Sequence, residues 1–448
     1  MDKLKSATQQ FSKKHFMYAL LLFIFSWGMS YLLCRLVWKE DLPVLSLGQL
    51  LPGLLIPICL LVYSWIFYTR SGGRSFSLQF VLVILLIAFL VNILFFQFMH
   101  IRNYGDFDQL PSQLTKSTIF PRWLIGSSIL NWLYHSIVIP IRPNFQSAAF
   151  VRVLGSILMI SSSFFLLKKY PNRLTLILPI TSPIWFLFSS GYNEYYPFIA
   201  EIFVISILLL TEDYIKGINP ILLGVIVSGV SLLYVGFIPV GLLLLVAFFG
   251  RSGLKKGFIA LGSMLVSFFM FIFMFWPQEF VTFFPAYYSS LNIKESVLFP
   301  GELMVHLPFF KLSYAFSVEN FRRLFYDLFW ACGFGVILIL VFILSSKKEF
   351  IKSVFRKYNA IFLMILAVGM LAYFIFMVPR LGVTQDIDLY FATYLIVNLF
   401  SGYLVDERFG TPITSENAIK KFHIFAFAFG NSAFLILFFC FLGIPYFR

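Results

Sequence analysis

Residues 257–276 read GFIALGSMLVSFFMFIFMFW, an uncharged and almost wholly apolar run. As a helix, such a run covers the roughly 30 Å hydrocarbon core of a bilayer and closes its backbone hydrogen bonds internally. The run does not alternate polar and apolar residues, as a strand of a membrane barrel would. This stretch therefore predicts a transmembrane helix.

Similar runs recur along nearly all of the 448 residues, of which 60% are hydrophobic and 20% aromatic, and the mean hydropathy is +0.88. This composition lies far outside the range of soluble domains. We predict an all-α, polytopic transmembrane helical bundle of about 13 spans. The predicted spans are 16–37, 50–68, 78–99, 147–167, 174–190, 196–212, 219–233, 236–250, 257–276, 326–345, 359–378, 389–404 and 423–445.

Charge predicts the orientation. With the N-terminus in the cytoplasm, most of the 34 Lys and Arg residues fall in inner segments, as the positive-inside rule requires. Inner loops that face anionic lipid explain the net charge of +14, and no basic soluble module suggests a nucleic-acid partner. We predict a multi-pass integral protein of the plasma (inner) membrane, with a cytoplasmic N-terminus and the C-terminus outside.

The segment at 123–141, WLIGSSILNWLYHSIVIPI, is apolar enough to be mistaken for a span. If it crossed the membrane, the basic cluster LKKYPNR (167–173) would move outside and every later loop would invert. Trp123, Trp132 and Tyr134 suit a headgroup boundary, so we predict an interfacial helix. The pair at 219–250 is predicted either as two spans or as one re-entrant unit.

Three outer loops are then prominent, at 100–146, 277–325 and 379–388, and long structured loops tend to carry function. They belong to a predicted catalytic core at 76–404. Residues 1–75 are predicted to be an added signal anchor and second span, and 405–448 a cytoplasmic loop and the last span. The four cysteines lie at irregular spacing in apolar runs and predict neither a disulfide framework nor a metal motif.

An acid pair, Asp106 and Asp108, stands in NYGDFDQL (103–110) in the first loop. In extended backbone two such acids point to one side, as a general base or a divalent-cation site requires. The alternative is a solvated turn at Gly105 whose carboxylates bond nearby amides. A second pair, Asp386 and Asp388, strengthens the first interpretation, although Asp388 also suits a cap of the following helix.

Other polar side chains fall in the same outer layer. Glu194 lies beside Tyr195 and Tyr196 in SSGYNEYYPF (189–198). It either faces a cavity whose aromatic rings stack on a sugar, or anchors the aromatic belt. Ionisable groups at membrane depth cost roughly 2.5 to 3.5 kcal/mol each, so they usually face a cavity or a partner. Further candidates for substrate binding are His306, Lys311, Arg380 and Arg152.

Several of the cations have more than one interpretation. Arg152 either pairs with Glu201 or holds a phosphate. Arg322 and Arg323 precede the span at 326–345, where they either snorkel to the interface or bind a lipid phosphate. The sequence contains no Walker loop, GxSxG, HExxH or CxxC site, so no motif supports nucleotide hydrolysis, serine hydrolysis or a common zinc site.

This arrangement resembles the GT-C superfamily of polytopic glycosyltransferases, and more narrowly an uncharacterised, mostly bacterial group within or near it. The resemblance spans about 90–400 and rests on three motifs in order. They are YGDFDQL followed by FPRWLIGSSILNWLYHSI, then GYNEYYPF, then QDIDLYF, in which Ile387 replaces the Trp of that group. The acid-bearing loop follows the third predicted span, whereas it follows the first span in the superfamily.

The resemblance implies a cell-envelope transferase that moves a sugar from a polyprenyl-phosphate-linked donor to a glycan, lipid or protein acceptor on the outer face. It implies Asp106 as general base, with Glu194 as a second catalytic residue. Asp108, Asp386 and Asp388 are candidate ligands of a divalent cation, Mg²⁺ or Mn²⁺, and no cofactor is certain. The alternatives are a polysaccharide polymerase or ligase, and a transporter or lipid flippase that uses the same acids as an ion site.

Overall fold

The structure is a computed structural model that describes residues 13–37, 47–70, 119, 124–143, 147–169, 173–182, 185, 200, 219–233, 238–290, 315–328, 332–333, 335–376, 391–409 and 415–442. Within these ranges the chain is helical and contains no strand. The predicted all-α class is therefore confirmed.

The helices in chain order are α1 (Lys13–Val37), α2 (Leu47–Arg70), α3 (Leu124–Leu133, continued by a π-helical turn at Tyr134–Val138 and by Ile139–Ile141), α4 (Ser147–Lys169), α5 (Leu174–Ile180), α6 (Pro220–Leu233), α7 (Ile238–Ser252), α8 (Leu254–Phe275), α9 (Phe283–Ser290, after a 3-10 turn at Phe280–Thr282), α10 (Val318–Asp327), α11 (Gly335–Ser345), α12 (Lys348–Val354), α13 (Tyr358–Phe376), α14 (Phe391–Phe409) and α15 (Ser415–Leu442).

Three helical segments in the described ranges are long and apolar enough to cross a membrane: Lys13–Leu33 in α1, Leu124–Ile141 in and after α3, and all of α8. A fourth is the bent pair α12 and α13, if the pair counts as one span. Predicted spans at 16–37 and 257–276 are among these segments. Length and composition do not separate a crossing helix from an interfacial one, so the interfacial helix predicted at 123–141 stays a prediction.

Helix α14 is the centre of the bundle. Each residue from Phe391 to Gly402 is buried, so the helix is covered on all sides. It packs against α5, α11, α13 and α15. Helix α8 is the opposite case, because Val266, Met270 and Phe273 on it are each more than half exposed. A helix that is apolar all round is either a core element or a membrane span. Helix α14 has the burial of a core element, and α8 has the exposed apolar surface of a candidate span.

Contacts along the helices fix their relative directions. The first described helix, α1, runs parallel to the last, α15, because His15 O lies 3.0 Å from His423 Nε2, while further along both helices Ser30 Oγ accepts from Asn431 Nδ2 at 2.8 Å. Helix α11 likewise runs parallel to α14. Near the start of both helices Cys332 Sγ is 3.5 Å from Tyr394 O.

At the far end of the same pair, Arg408 Nη1 donates to Ser345 Oγ at 2.6 Å. We call this end of the bundle, where His15, Ser345, Asp406 and Lys421 lie, the basic end. Helix α13 runs antiparallel to α14. Its first turn meets the last turn of α14 at the ion pair of Lys357 with Glu407, and its last turns meet the start of α14, where Thr393 Oγ1 donates to Met370 O at 3.2 Å.

We call the opposite end, where Phe275, Ile375 and Tyr394 lie, the loop end. Phe275 belongs there because α6 and α8 run parallel. Ser263 Oγ, near the middle of α8, donates to Ile221 O at the start of α6, and a Cβ on Gly229 would lie 3.8 Å from Phe271, nearer the ends of both helices. The end of α6 adjoins the start of α7, and the start of α7 contacts the last part of α13, which lies at the loop end. The end of α8, beside the end of α6, is therefore also at the loop end.

The predicted span at 326–345 is not one continuous helix. Gly333 has a φ of +62°, in the left-handed region that ends a right-handed helix, and α11 begins two residues later. The predicted span at 174–190 is also interrupted, because α5 ends at Ile180. There Thr181 and Ser182 turn their hydroxyls back to the carbonyls of Ile177 and Pro179, at 2.7 Å and 2.5 Å.

Gly402 allows α5 and α14 to touch through their backbones. A Cβ at this position would lie 2.6 Å from the carbonyl carbon of Leu174 and 2.6 Å from Thr175 Cα. Neither backbone atom can rotate away. We therefore expect Gly402→Ala to lower the free energy of unfolding by about 1–3 kcal/mol, as overpacking does. Denaturation in mixed micelles measures this cost.

Gly262, on α8, is the matched control for Gly402→Ala. A Cβ added to Gly262 would meet no atom within 4 Å, so Gly262→Ala only replaces a poor helix former with a good one. We expect this variant to be as stable as the wild type or up to about 1 kcal/mol more stable. Equal effects of the two substitutions would contradict the close approach of α5 and α14.

Candidate functional site

Most of the predicted site residues lie outside the described ranges. These are Asp106, Asp108, Glu194, Tyr195, Tyr196, His306, Lys311, Arg380, Asp386 and Asp388. Arg152 lies in the first turns of α4, where the structure describes the backbone but not this side chain. The roles given to these residues stay predictions. The structure instead describes helices within and beside the three outer loops predicted at 100–146, 277–325 and 379–388.

The first and second loops meet at the end of α8. Ser128, on α3 within the first loop, is half-buried, and its Oγ lies 3.4 Å from the carbonyl oxygen of Phe275. Phe275 is the last residue of α8, and the chain continues from it directly into the second loop. The same hydroxyl donates to Leu124 O at 2.7 Å within α3. A helix within the first loop is therefore in contact with the start of the second loop.

Further along the same helical segment, the Tyr134 ring lies 5.5 Å from the Phe150 ring, centroid to centroid. Phe150 is in the first turn of α4. The segment at 124–141 thus contacts the last residue of α8 through Ser128 in its second turn and the first turn of α4 through Tyr134. The segment is among those long and apolar enough to cross a membrane, and its predicted interfacial position stays a prediction.

The second and third loops meet at Asn320. This residue is fully buried in α10, which ends the second loop. Its Nδ2 donates to Ile375 O at 2.8 Å and to Ala315 O at 2.9 Å, while its backbone N–H is capped by Ser317 Oγ at 3.1 Å. Ile375 is in the last turn of α13, just before the third loop. A single side chain therefore ties these two loop bases together.

The third loop leads into the most buried helix of the bundle. Asp388 stands three residues before Phe391, where α14 begins, and the first residues of α14 are wholly buried. At the same level the Tyr394 ring packs edge-on against Phe374 near the end of α13, with centroids 5.7 Å apart. The acid pair at 386–388 is thus joined in the chain to a fixed position at the loop end.

Metal binding stays a prediction. Among the residues that the structure describes, no group of three His, Cys, Asp or Glu side chains has a geometry that could hold an ion. The acids predicted as ligands, Asp108, Asp386 and Asp388, lie outside those residues. Glu279, an acid of the same predicted layer, is exposed, and its backbone carbonyl accepts from Thr282 in a short turn.

The basic end carries a buried charge pair that the sequence did not reveal. Lys421 Nζ lies 2.8 Å from Asp406 Oδ1, and the lysine side chain is fully buried. Asp406 also accepts from the backbone N–H groups of Leu174 and Thr175, at 3.1 Å and 2.9 Å, and from Thr175 Oγ1 at 2.7 Å. The carboxylate thereby satisfies the first amides of α5 and joins α5, α14 and α15.

More exposed charges surround this pair. Lys357 pairs with Glu407, and Lys420 pairs with Glu416 one turn away on α15. The hydrogen bond from Lys420 lowers the pKa of the Glu416 carboxyl, although this side chain is exposed. Pairs of this exposed kind contribute little to stability. The basic end thus combines a buried ion pair, which joins three helices at Asp406, with exposed ion pairs around it.

The sequence offered partial signals for Asn320 and Asp406. In SVENFRRLFYD (317–327) a Ser precedes a short amphipathic helix, as an N-cap does, but the stretch lies in what was predicted as a loop. Asp406 is one of two adjacent acids, with Glu407, at the end of an apolar run, and Lys421 is one of two adjacent lysines 15 residues further on. Their pairing joins separate helices, which no periodicity in one helix reveals.

Comparison of this chain with family models, with curated proteins and with solved structures found no match.

Proposed function

We propose that this protein is a membrane-embedded inverting glycosyltransferase of the GT-C type, which transfers a sugar from a polyprenyl-phosphate-linked donor on the outer face of the plasma membrane. The observation that carries the proposal is that described parts of the first and second outer loops, and the helix that leads into the third, meet at one end of the bundle. Ser128, in the first loop, contacts Phe275 just before the second, and Asn320, near the end of the second, contacts Ile375 just before the third. Acids in such loops would face a common space.

Helix directions support the proposed topology. Parallel α1 and α15 require an odd number of crossings when both are counted, and 13 spans satisfy this. Making 124–141 a further crossing would give an even number. The parallel pairs α6/α8 and α11/α14 and the antiparallel pair α13/α14 also agree with alternate threading. In this topology the loop end is outside and the basic end is cytoplasmic.

The proposed reaction needs a base, a leaving group and a way to hold the sugar. Asp106 accepts the proton of an acceptor hydroxyl, whose oxygen attacks the anomeric carbon. The bond from that carbon to the phosphate oxygen breaks, and polyprenyl phosphate leaves with both electrons. Glu194, Tyr195 and Tyr196 orient the sugar through hydrogen bonds and stacking. Both substrates are held within the bilayer plane or at its surface, which supplies proximity.

The leaving phosphate needs positive charge nearby. Arg380, Lys311 or Arg152 would supply it, with His306 as a further contact in the second loop. A divalent cation on Asp108 with Asp386 or Asp388 would serve the same purpose by neutralising charge on the phosphate oxygens. A chelator separates the two arrangements, because it would abolish transfer only if the cation is required.

Reconstitution tests the proposed activity. Purified protein in vesicles is given polyprenyl phosphates that carry radiolabelled sugars, together with deproteinised membrane extract as a source of acceptors. We expect the label to leave the donor and appear in a new product, with release of free polyprenyl phosphate in equal amount. A folded protein that leaves every donor intact would contradict the transferase proposal. Transfer of a whole preassembled glycan would identify a polymerase or ligase.

The rival function, a transporter or lipid flippase, has one observation in its favour. The helix break at Gly333 is flanked by buried Asn431 and, at Gly335, by buried Asn398, and broken helices with polar neighbours mark transporter sites. The same vesicles distinguish the two classes. Movement of labelled lipid or sugar across the bilayer with no new bond formed would favour the transporter.

A further inference from the structure

Helix α10 lies across the end of the bundle. At its first turn Asn320 Nδ2 is 2.8 Å from Ile375 O, and beyond its end Cys332 Sγ is 3.5 Å from Tyr394 O. Ile375 and Tyr394 are at one level, because the Tyr394 ring packs against Phe374. Residues 320 and 332 are therefore at similar heights. Aligned with the bundle axis, α10 would instead carry the chain about 10 Å along that axis from Asn320 to Asp327.

The sides of α10 differ in character. Asn320 is fully buried, and Leu324 and Leu328 are half-buried on the neighbouring positions of the helical repeat, so this side faces the bundle. Val318 and Phe321 are 74% and 57% exposed. Arg322, one position along from Phe321, is also exposed. The hydrogen bonds of Asn320 fix the rotation of the helix, so its apolar side is held outward at the loop end.

We infer that α10 is an interfacial anchor that lies in the outer leaflet, with Val318 and Phe321 against the upper acyl chains and Arg322 beside lipid phosphates. Phospholipid is the occupant that fits, since α10 adjoins the last turn of α13, part of a candidate span, and since Arg322 complements an anionic headgroup. The anchor depends on the proposed orientation of the bundle and not on sugar transfer.

Depth-dependent quenching tests the position of α10. A cysteine at Phe321 (Phe321→Cys), in a variant whose four native cysteines are replaced by Ala, carries an environment-sensitive fluorophore in nanodiscs. Nitroxides sit either on the lipid headgroup or at the middle of the acyl chain. We expect the headgroup nitroxide to quench at least about twofold more strongly, because interfacial helices enter only the boundary of the acyl region.

Val266→Cys on α8 is the matched control. This residue is 61% exposed near the middle of a candidate span, so the mid-chain nitroxide should quench it more strongly. If the mid-chain nitroxide quenched the label at 321 more strongly than the headgroup nitroxide did, as is expected at 266, the anchor would be overturned. It would also be overturned if neither nitroxide quenched the label at 321 while the label at 266 responded. Energy transfer between labels at 321 in co-reconstituted copies would also overturn it, since a second chain would then cover the helix.

A second measurement tests Arg322 and the identity of the occupant. With the nitroxide on phosphatidylglycerol headgroups, quenching at 321 should exceed that with phosphatidylcholine, and Arg322→Gln should remove this preference. Lys352→Gln, an exposed cation on α12 at the basic end, should leave it unchanged. An unchanged preference in Arg322→Gln would overturn the phosphate contact. Loss of sugar transfer with normal quenching would count against the proposed function alone.

Discussion

Replacing Asp106 with Asn is expected to reduce sugar transfer by about 10²- to 10⁴-fold, because the amide keeps the shape of the carboxylate but cannot accept the proton of the acceptor hydroxyl. Initial rates with a saturating lipid-linked donor measure the loss. Donor binding should change little, since the proposed role of Asp106 concerns the transition state. The reduction should therefore appear in kcat, with KM for the donor nearly constant.

Glu279→Gln is the control for Asp106→Asn. It removes one negative charge from an exposed side chain that follows α8 at the loop end, and the backbone carbonyl of Glu279, which accepts from Thr282, is unchanged. We expect transfer to stay within about twofold of the wild type, because surface substitutions rarely matter. If Asp106→Asn retained full activity in a folded protein, Asp106 would not be the base, and Glu194 would become the first alternative to examine.

Replacing Asp406 with Asn is expected to lower the free energy of unfolding by about 3–5 kcal/mol, the range for removal of one partner from a buried ion pair. The fully buried Lys421 ammonium would lose its counter-charge. The amide would also leave one of the acceptor positions used by Leu174, Thr175 and Lys421 without a suitable oxygen. Equilibrium unfolding in mixed micelles, followed by helix content, measures the change.

The chain provides a control one residue away from Lys421. Lys420 pairs with Glu416, whose side chain is 76% exposed, so Glu416→Gln should leave the stability unchanged. The double variant Asp406→Asn with Lys421→Met should regain part of the loss, because no unpaired ammonium then remains buried. If Asp406→Asn lowered the free energy of unfolding as little as Glu416→Gln does, the buried pair would not stabilise the packing of the three helices.

Hydropathy and charge predicted the helical class and most helix positions within the described ranges. Predicted and observed bounds agree closely for α1, α2, α4, α8 and α13, where long apolar runs end at polar residues. Helix α10 was missed because its short amphipathic pattern carries four charged residues, at 319, 322, 323 and 327, and so lacks the hydropathy of a span. The break at Gly333 was missed because the apolar run continues through it.

The site could be predicted only as a set of residues on one face. Motifs and topology predict Asp106, Glu194 and Asp386 in outer segments, but distances between loops depend on tertiary contacts. The hydrogen bonds that connect the described parts of the loops run from Ser128 and Asn320 to backbone carbonyls of distant helices. Every residue has a backbone carbonyl, so the sequence alone does not show which carbonyl accepts such a bond.

The parallel packing of α1 on α15 has a consequence for biosynthesis. The ribosome delivers α1 first and α15 last among the described helices, so the Phe23 face of α1 lacks its partner Phe429 until almost the whole chain has entered the membrane. Lipids or an insertion chaperone must cover that face in the interval. Helix α1 also contacts α2, through Phe16 and Trp65, but shortening the chain before Phe429 would leave the side of α1 that packs on α15 without its partner, although residues 1–75 were predicted to be an addition.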